Sequence, residues 1–157
     1  MEISLRRMKK DDFSAVHEMM RGLHGLHVEN RPDVFRDADP LERQTFDALL
    51  DNRDIFLILA EADGRAAGFC VVAMKGPSEA PPPRTPRKVA VMDDLYVHGD
   101  FRKSGVGKRL FEEAAREARL RGASSLELSV WAFNETARGF YRGVGMSERS
   151  LVMEYEL

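Results

Sequence analysis

Two apolar runs, IFLILAEA (55–62) and RAAGFCVVAM (65–74), flank the dipeptide Asp63-Gly64. An Asp-Gly pair takes up the left-handed backbone of a tight turn at little cost, so this stretch predicts a β-hairpin. A hairpin commits the chain to a sheet with antiparallel neighbours, and the other elements must extend that sheet or pack on it. KVAVMDDLYV (88–97) predicts the next strand. Between them lies GPSEAPPPRTPR (76–87), whose prolines at 81, 82, 83 and 86 forbid regular structure, so it reads as an exposed hairpin loop.

Before the hairpin, EISLRRM (2–8) alternates Ile3 and Leu5 with polar neighbours and predicts a first short strand. Asp11 or Asp12 can cap a following helix that carries Phe13, Val16, Met20 and Leu23 on one face. Gly22 and Gly25 weaken its end, so residues 24–40 are expected to form a bent, partly irregular connection. A second helix is expected from about Pro40 to Leu50. Beyond residue 97, Val106, Leu110, Ala114 and Ala118 stripe a helix expected over 104–121, which Gly122 stops. SLELSVWAF (125–133) predicts a strand, 134–142 a short helix, and MSERSLVMEYEL (146–157) a final alternating strand. The order β-α-α-β-β-β-α-β-α-β predicts an α/β (α+β mixed sheet) fold with helices packed on the sheet. No internal repeat or boundary interrupts it, so 1–157 is expected to be a single domain.

At 157 residues with 43% apolar and 32% charged side chains, the chain can bury a sizeable core. A formal net charge of −2 argues against nucleic acid as a partner, so the basic patch at 102–109 needs a local explanation. The lone Cys70 sits in an apolar strand, which excludes an intrachain disulfide and a cysteine-based zinc site. No signal peptide or membrane-length apolar run is present, and a cytoplasmic location is expected. His24 and His27 fall on one helical face, but the segment lacks the H-E-x-x-H pattern and is interrupted by glycine, so no metal is expected.

Residues 98–110, HGDFRKSGVGKRL, carry two glycines and a basic cluster between a strand and a helix. A P-loop is excluded: Arg102 stands where the first glycine belongs, and Arg109 replaces the magnesium-binding Ser/Thr. A dinucleotide fingerprint is excluded too, because Leu110 replaces the third glycine. What remains is R-x-x-G-x-G/A, still an anion site by its chemistry. Glycines admit close backbone approach, helical N–H groups point outward, and Arg102, Lys103 and Lys108 add charge.

Two flanking segments sharpen this. Leu95-Tyr96-Val97 precedes Arg102-Lys103-Ser104-Gly105-Val106-Gly107, and one helix and one strand later come Asn134, Ala137, Phe140, Tyr141 and Gly145, matching N-x-x-A-x-x-F-Y-x-x-x-G. Together they resemble the signatures of the GNAT superfamily of acetyl-CoA-dependent N-acetyltransferases. The resemblance implies acetyl-CoA as cofactor, its pyrophosphate held by backbone N–H groups from about Arg102 to Lys108. It implies that the pantetheine arm pairs with main-chain groups near Leu95, Tyr96 and Val97, and that the Val97 N–H serves the thioester oxygen. Asn134, Ala137, Phe140 and Tyr141 complete the implied cofactor set.

GNAT enzymes transfer the acetyl group directly to a neutral amine, which implies a base and an acid. Tyr141 matches the family's acid position; its alternative role is core packing beside Phe140. Asp93 matches the first acid of the family's E-D-L-Y-V stretch and is the expected base, acting through water because Asp is one methylene shorter than Glu. Its alternatives are attraction of a cationic substrate or a structural hydrogen bond. Asn134 can cap its helix and touch the cofactor at once. The fold implied by the resemblance walls the acceptor site with the 24–40 region, which makes His27, Glu29 and Asp33 candidate acceptor contacts.

The expected activity is acetyl transfer to a primary amine of a small molecule, with the acid pair tilting the expectation toward a cationic, polyamine-like one. A peptide or protein amine is the alternative acceptor, and a non-catalytic acyl-CoA-binding module is the alternative of another class. A homodimer is a possible assembly, with 146–157 and the 76–87 loop as candidate contacts.

Overall fold

The computed structural model describes residues 1–77 and 83–157. The middle of the proline-rich 76–87 loop therefore lies outside the described residues. The elements run β1 (Ile3–Arg7), α1 (Phe13–Asn30), α2 (Arg43–Asp51), β2 (Ile55–Ala62), β3 (Arg65–Lys75), β4 (Val89–Val97), α3 (Val106–Leu120), β5 (Leu126–Glu127) and α4 (Glu135–Gly143). The five strands form one mixed sheet in the order β1-β2-β3-β4-β5, with β4 and β5 parallel and all other pairs antiparallel. The hairpin across Asp63-Gly64 forms as expected, and both turn residues take positive φ (49° and 76°).

Strands β2 and β3 are buried on both faces, which explains their unbroken apolar sequence. Phe56, Ile58, Cys70 and Val72 pack with the Val106, Leu110, Ala114 and Ala118 stripe of α3. On the other face, Leu57, Leu59, Phe69 and Val71 pack with Val16, Met19 and Met20 of α1 and Phe46 of α2. Gly68 sits where α3 meets the sheet: a Cβ there would stand 2.7 Å from the Tyr96 carbonyl and 3.2 Å from both Leu110 and Val106. No helix among the described residues is long and apolar enough to cross a membrane.

Three expectations are corrected. First, α1 runs unbroken through Gly22 and Gly25 to Asn30, so the irregular connection begins only at Arg31. Gly22 is there for packing, since a Cβ would stand 2.6 Å from the Tyr96 hydroxyl oxygen. Second, the strand expected over 125–133 is reduced to Leu126–Glu127, because the chain pairs with β4 only opposite Ala90 and Val91. Third, the strand expected over 146–157, the last element of the order above, does not form. A strand exists only by pairing, and residues 147–157 make no backbone hydrogen bond with any described residue. Ion pairs hold the segment instead: Arg142–Glu148 (2.9 Å), Arg149–Glu127 (2.5 Å) and Arg31–Glu154 (2.8 Å).

Candidate active site

The early divergence of β5 opens a cleft along β4. The pairing Gly68↔Val97, with the His98 N–H on the Ala67 carbonyl at 2.9 Å, puts Val97 and Leu95 at non-hydrogen-bonded positions relative to β3. Their N–H and C=O groups therefore face the open edge, where no strand covers them among the described residues. Tyr96, between them, bonds inward to β3 and packs against Phe69 with ring centroids 6.3 Å apart.

At the mouth of the cleft the chain turns into α3. Lys103 (φ 61°) and Gly105 (φ 92°) are left-handed, and Gly105 stands just ahead of the helix. The first helical bond runs from the Arg109 N–H to the Gly105 carbonyl at 3.1 Å, so the N–H groups of 103–108 have no backbone acceptor among the described residues. Ser104 Oγ donates to the Phe101 carbonyl and braces the turn. Arg102 donates from Nε to the Val97 carbonyl at 3.3 Å and lies over the Tyr96 ring. Neither Arg102 nor Lys103 pairs with a carboxylate among the described residues, while Lys108 meets Glu112 only at 3.8 Å.

The two sequence signatures meet at Gly107. A Cβ there would lie 3.4 Å from both the Phe140 ring and Val97 Cγ2, so β4, α3 and α4 converge on that one position. Asn134 caps α4, its Oδ1 accepting from the Ala137 N–H at 3.1 Å. Phe140 packs edge-on to Phe111 and to Tyr141, with centroids 6.5 Å and 5.3 Å apart.

Asp93 and Asp94 occupy a β-bulge. Val72 pairs with Met92 and Val71 with Asp94, leaving Asp93 without a cross-strand partner and exposed. Asp94 shares the face of Val71 and Tyr96, the face covered by α1. Burial pushes its carboxyl up to about 6, the neighbouring Asp93 charge adds to that, and His27 on α1 works against it. Tyr141, half-buried, is pushed up to about 12, first by burial and then by the charge of Asp94. Asp94 thus stands beside the candidate site, although the sequence reading took only Asp93 from the acid pair. A signal was present: the inward apolar positions of AVMDDLYV jump from Ala90 and Met92 to Leu95 and Val97, the mark of a bulge at the acid pair.

The structure places the acceptor-side candidates unequally. His27 lies among rings, 5.1 Å from Phe35 and 5.9 Å from Phe133, with Trp131 5.4 Å from Phe35. Its Nδ1 is engaged by the Leu23 carbonyl at 2.9 Å, and His24 Nε2 by the Arg36 carbonyl at 2.8 Å. Asp33 is gripped by Arg31 at 2.7 and 2.9 Å, which holds its carboxyl below the usual range, and Glu29 is exposed. Burial pushes the Cys70 thiol up to about 12, so it is no nucleophile at neutral pH.

Residues 19–146 match the Acetyltransferase (GNAT) family. The chain belongs to that family. An uncharacterised N-acetyltransferase of Archaeoglobus fulgidus is 32% identical over 88% of this chain and 89% of its own length. A ribosomal protein bS18-alanine N-acetyltransferase of Escherichia coli is 25% identical over 82% of this chain and 76% of its own. Among solved structures, a mutant of the BH1408 protein from Bacillus halodurans superposes with a TM-score of 0.94 at 25% identity, covering 98% of this chain and 99% of that one. An aminoglycoside N-acetyltransferase in complex with CoA shares the fold at a TM-score of 0.71 and 21% identity, over 99% and 95% of the two chains.

This GNAT protein is an N-acetyltransferase and uses acetyl-CoA. Among the described residues the start of α3 presents a run of N–H groups without backbone acceptors, with Arg102 and Lys103 beside it and no carboxylate on either, next to an open strand edge, an arrangement suited to an anion.

Proposed function

We propose that the chain acetylates a small cationic primary amine of polyamine type. The observation that carries this reading is the Asp93–Asp94 pair at the open edge of β4. Among the described residues no lysine or arginine forms an ion pair with either carboxylate. Two adjacent carboxylates without a counter-charge attract an ammonium group.

In this reading the N–H groups of 103–108, with Arg102 and Lys103, hold the cofactor's diphosphate, and the outward main-chain groups of Leu95 and Val97 hold its arm. Acetyl-CoA supplies the activated acetyl thioester. The acid pair binds the ammonium and takes its proton. Asp93 meets solvent and substrate through water, and the Asp94 carboxylate, whose charge reaches His27 and Tyr141, retains the proton. Tyr141 keeps its Oη proton at neutral pH and so has one to give to a departing thiolate. His27, with Phe35, Trp131 and Phe133 around it, forms the wall against which the rest of the acceptor lies.

Thiol release measured against diamines, triamines, aminoglycosides and peptides beginning with alanine tests this reading. The expected result is highest kcat/KM on the polyamines, falling with Asp93→Asn and Asp94→Asn. Faster turnover of the alanine peptides than of every polyamine would overturn it in favour of a peptide acceptor.

A further inference from the structure

His24 and His27 share α1, and their hydrogen bonds set them apart. His24 Nε2 meets the Arg36 carbonyl at 2.8 Å and ties the following loop to the helix. His27 Nδ1 meets the Leu23 carbonyl of its own helix at 2.9 Å. A carbonyl only accepts, so Nδ1 carries the hydrogen, and Nε2 of the neutral ring carries a lone pair. That lone pair has no partner among the described residues. The Phe35 and Phe133 rings, 5.1 and 5.9 Å away, hold the imidazole in place.

The fold turns this lone pair toward Asp94. Gly22 of α1 lies against the Tyr96 hydroxyl of β4. Further along the helix by five residues, His27 stands about 7.5 Å beyond Gly22. Asp94, two residues before Tyr96 on the same face, stands about 7 Å back along the strand. The two steps lead the same way, since the His27 charge acts on the Asp94 carboxyl. Asp94 has no hydrogen-bond partner of its own among the described residues. Among those residues no side-chain nitrogen or oxygen is both sealed from solvent and unpartnered, so both groups stay open to the cleft. An ionised carboxylate and an imidazole lone pair are two acceptors with nothing to donate. One proton between them satisfies both.

We propose that His27 holds the protonated form of Asp94, its Nε2 accepting the O–H that the carboxyl gains from the acceptor amine. The ammonium N–H bond breaks, its electron pair stays on nitrogen to attack the thioester, and the proton bonds to an Asp94 oxygen. That new O–H donates to His27 Nε2, and the imidazole stays neutral. His27 is therefore a positioning residue that acts through Asp94. Its role rests on the reading that Asp94 retains the amine's proton, and on no particular amine. The other charged or titratable groups nearby leave Nε2 to Asp94. Asp93 is exposed on its bulge, and Arg31, one turn past His27, is held by Asp33 and Glu154. Tyr141 of α4 keeps its proton, and the 131–133 segment brings Trp131 and Phe133, which carry no charge. A cationic His27 lowers the Asp94 carboxyl, whereas the locked neutral ring raises it, so the sign of the effect identifies the role.

Carbon NMR titration of the Asp94 side chain, assigned by its loss in Asp94→Asn, reads this effect without any substrate. In His27→Phe, which replaces one ring by another, the titration is expected to move down by about half a pH unit or more. His27→Gln, whose Oε1 stands near the place of Nε2, is expected to keep it near the parent value. Thermal melts check that both variants fold. Long-range proton–nitrogen spectra of the parent are expected to show the Nδ1–H tautomer of His27 at pH 7.5. With diaminobutane as acceptor, His27→Phe is expected to lower kcat roughly threefold to tenfold while KM stays within about twofold. A titration that stays or rises in His27→Phe, an Nε2–H tautomer, or a loss confined to KM overturns the inference. Full turnover by Asp94→Asn overturns the base reading and this inference with it. If Asp94→Asn loses turnover and His27→Phe leaves the titration unmoved, this inference alone falls.

Discussion

Burial raises the Asp94 carboxyl, and this leaves a trace in stability. Its folded pKa of about 6 lies above the ordinary carboxyl value of 3.8. Below 3.8 both states are protonated and nothing is lost. As pH rises from there to about 6 the unfolded chain ionises first, so the folded state loses stability, and above 6 the full cost remains. Replacing Asp94 by Asn removes that cost. Urea unfolding of Asp94→Asn is expected to show a gain of ~2–3 kcal/mol at pH 7.5 that vanishes near pH 4. Activity moves the other way. The rate is expected to rise with pH through about 6 in the parent chain and at lower pH in Asp93→Asn, where the charge that helps raise Asp94 is gone, whereas Asp94→Asn loses that limb. Tyr141→Phe is expected to lower kcat about a hundredfold or more while leaving CoA affinity within a few-fold, read by calorimetry. The residues of both signatures were legible in the sequence because they are short, local and chemically distinctive. Asp94 was not, because a bulge moved its side chain to the α1 face.

Among the elements, the hairpin, α2, β4, α3 and α4 were legible from turn chemistry and periodicity, since each is stabilised by its own residues or by the neighbour next in sequence. The length of α1 was not. Gly22 and Gly25 look like breakers, yet the helix continues through both, and Gly22 lies against Tyr96, a contact invisible to local reasoning. The end of α3 shows how a tertiary ion pair fixes an element in place. Glu117 Oε1 receives Arg7 of β1 at 2.5 Å and Arg121 at 2.8 Å, and both guanidinium groups stand about 5 Å from the Phe56 ring of β2 (5.0 and 4.9 Å). Without the carboxylate, two like charges would face each other over one buried ring. Glu117→Gln is expected to destabilise the fold by ~1–2 kcal/mol at neutral pH. Arg121 and Arg7 hold the Glu117 carboxyl below its usual range, so this contribution is lost as pH falls through that lowered value, and the difference between the two proteins closes in acid. Thermal melts at two pH values read both effects.

At the scale of the molecule, the sequence patterned two stretches as strands, 125–133 and 146–157, and the single chain pairs only Leu126 and Glu127 of them. Patterning reports a face that wants cover, and it does not say which chain supplies the cover. The early end of that pairing is what leaves the main-chain groups of Leu95 and Val97 without a neighbouring strand among the described residues. Beyond it the 147–157 segment is held by the ion pairs Arg149–Glu127 and Arg31–Glu154 and joins no ladder among the described residues. Alternation could not show this, because the partners lie 22 and 123 positions apart in the chain, and only the folded molecule brings them together.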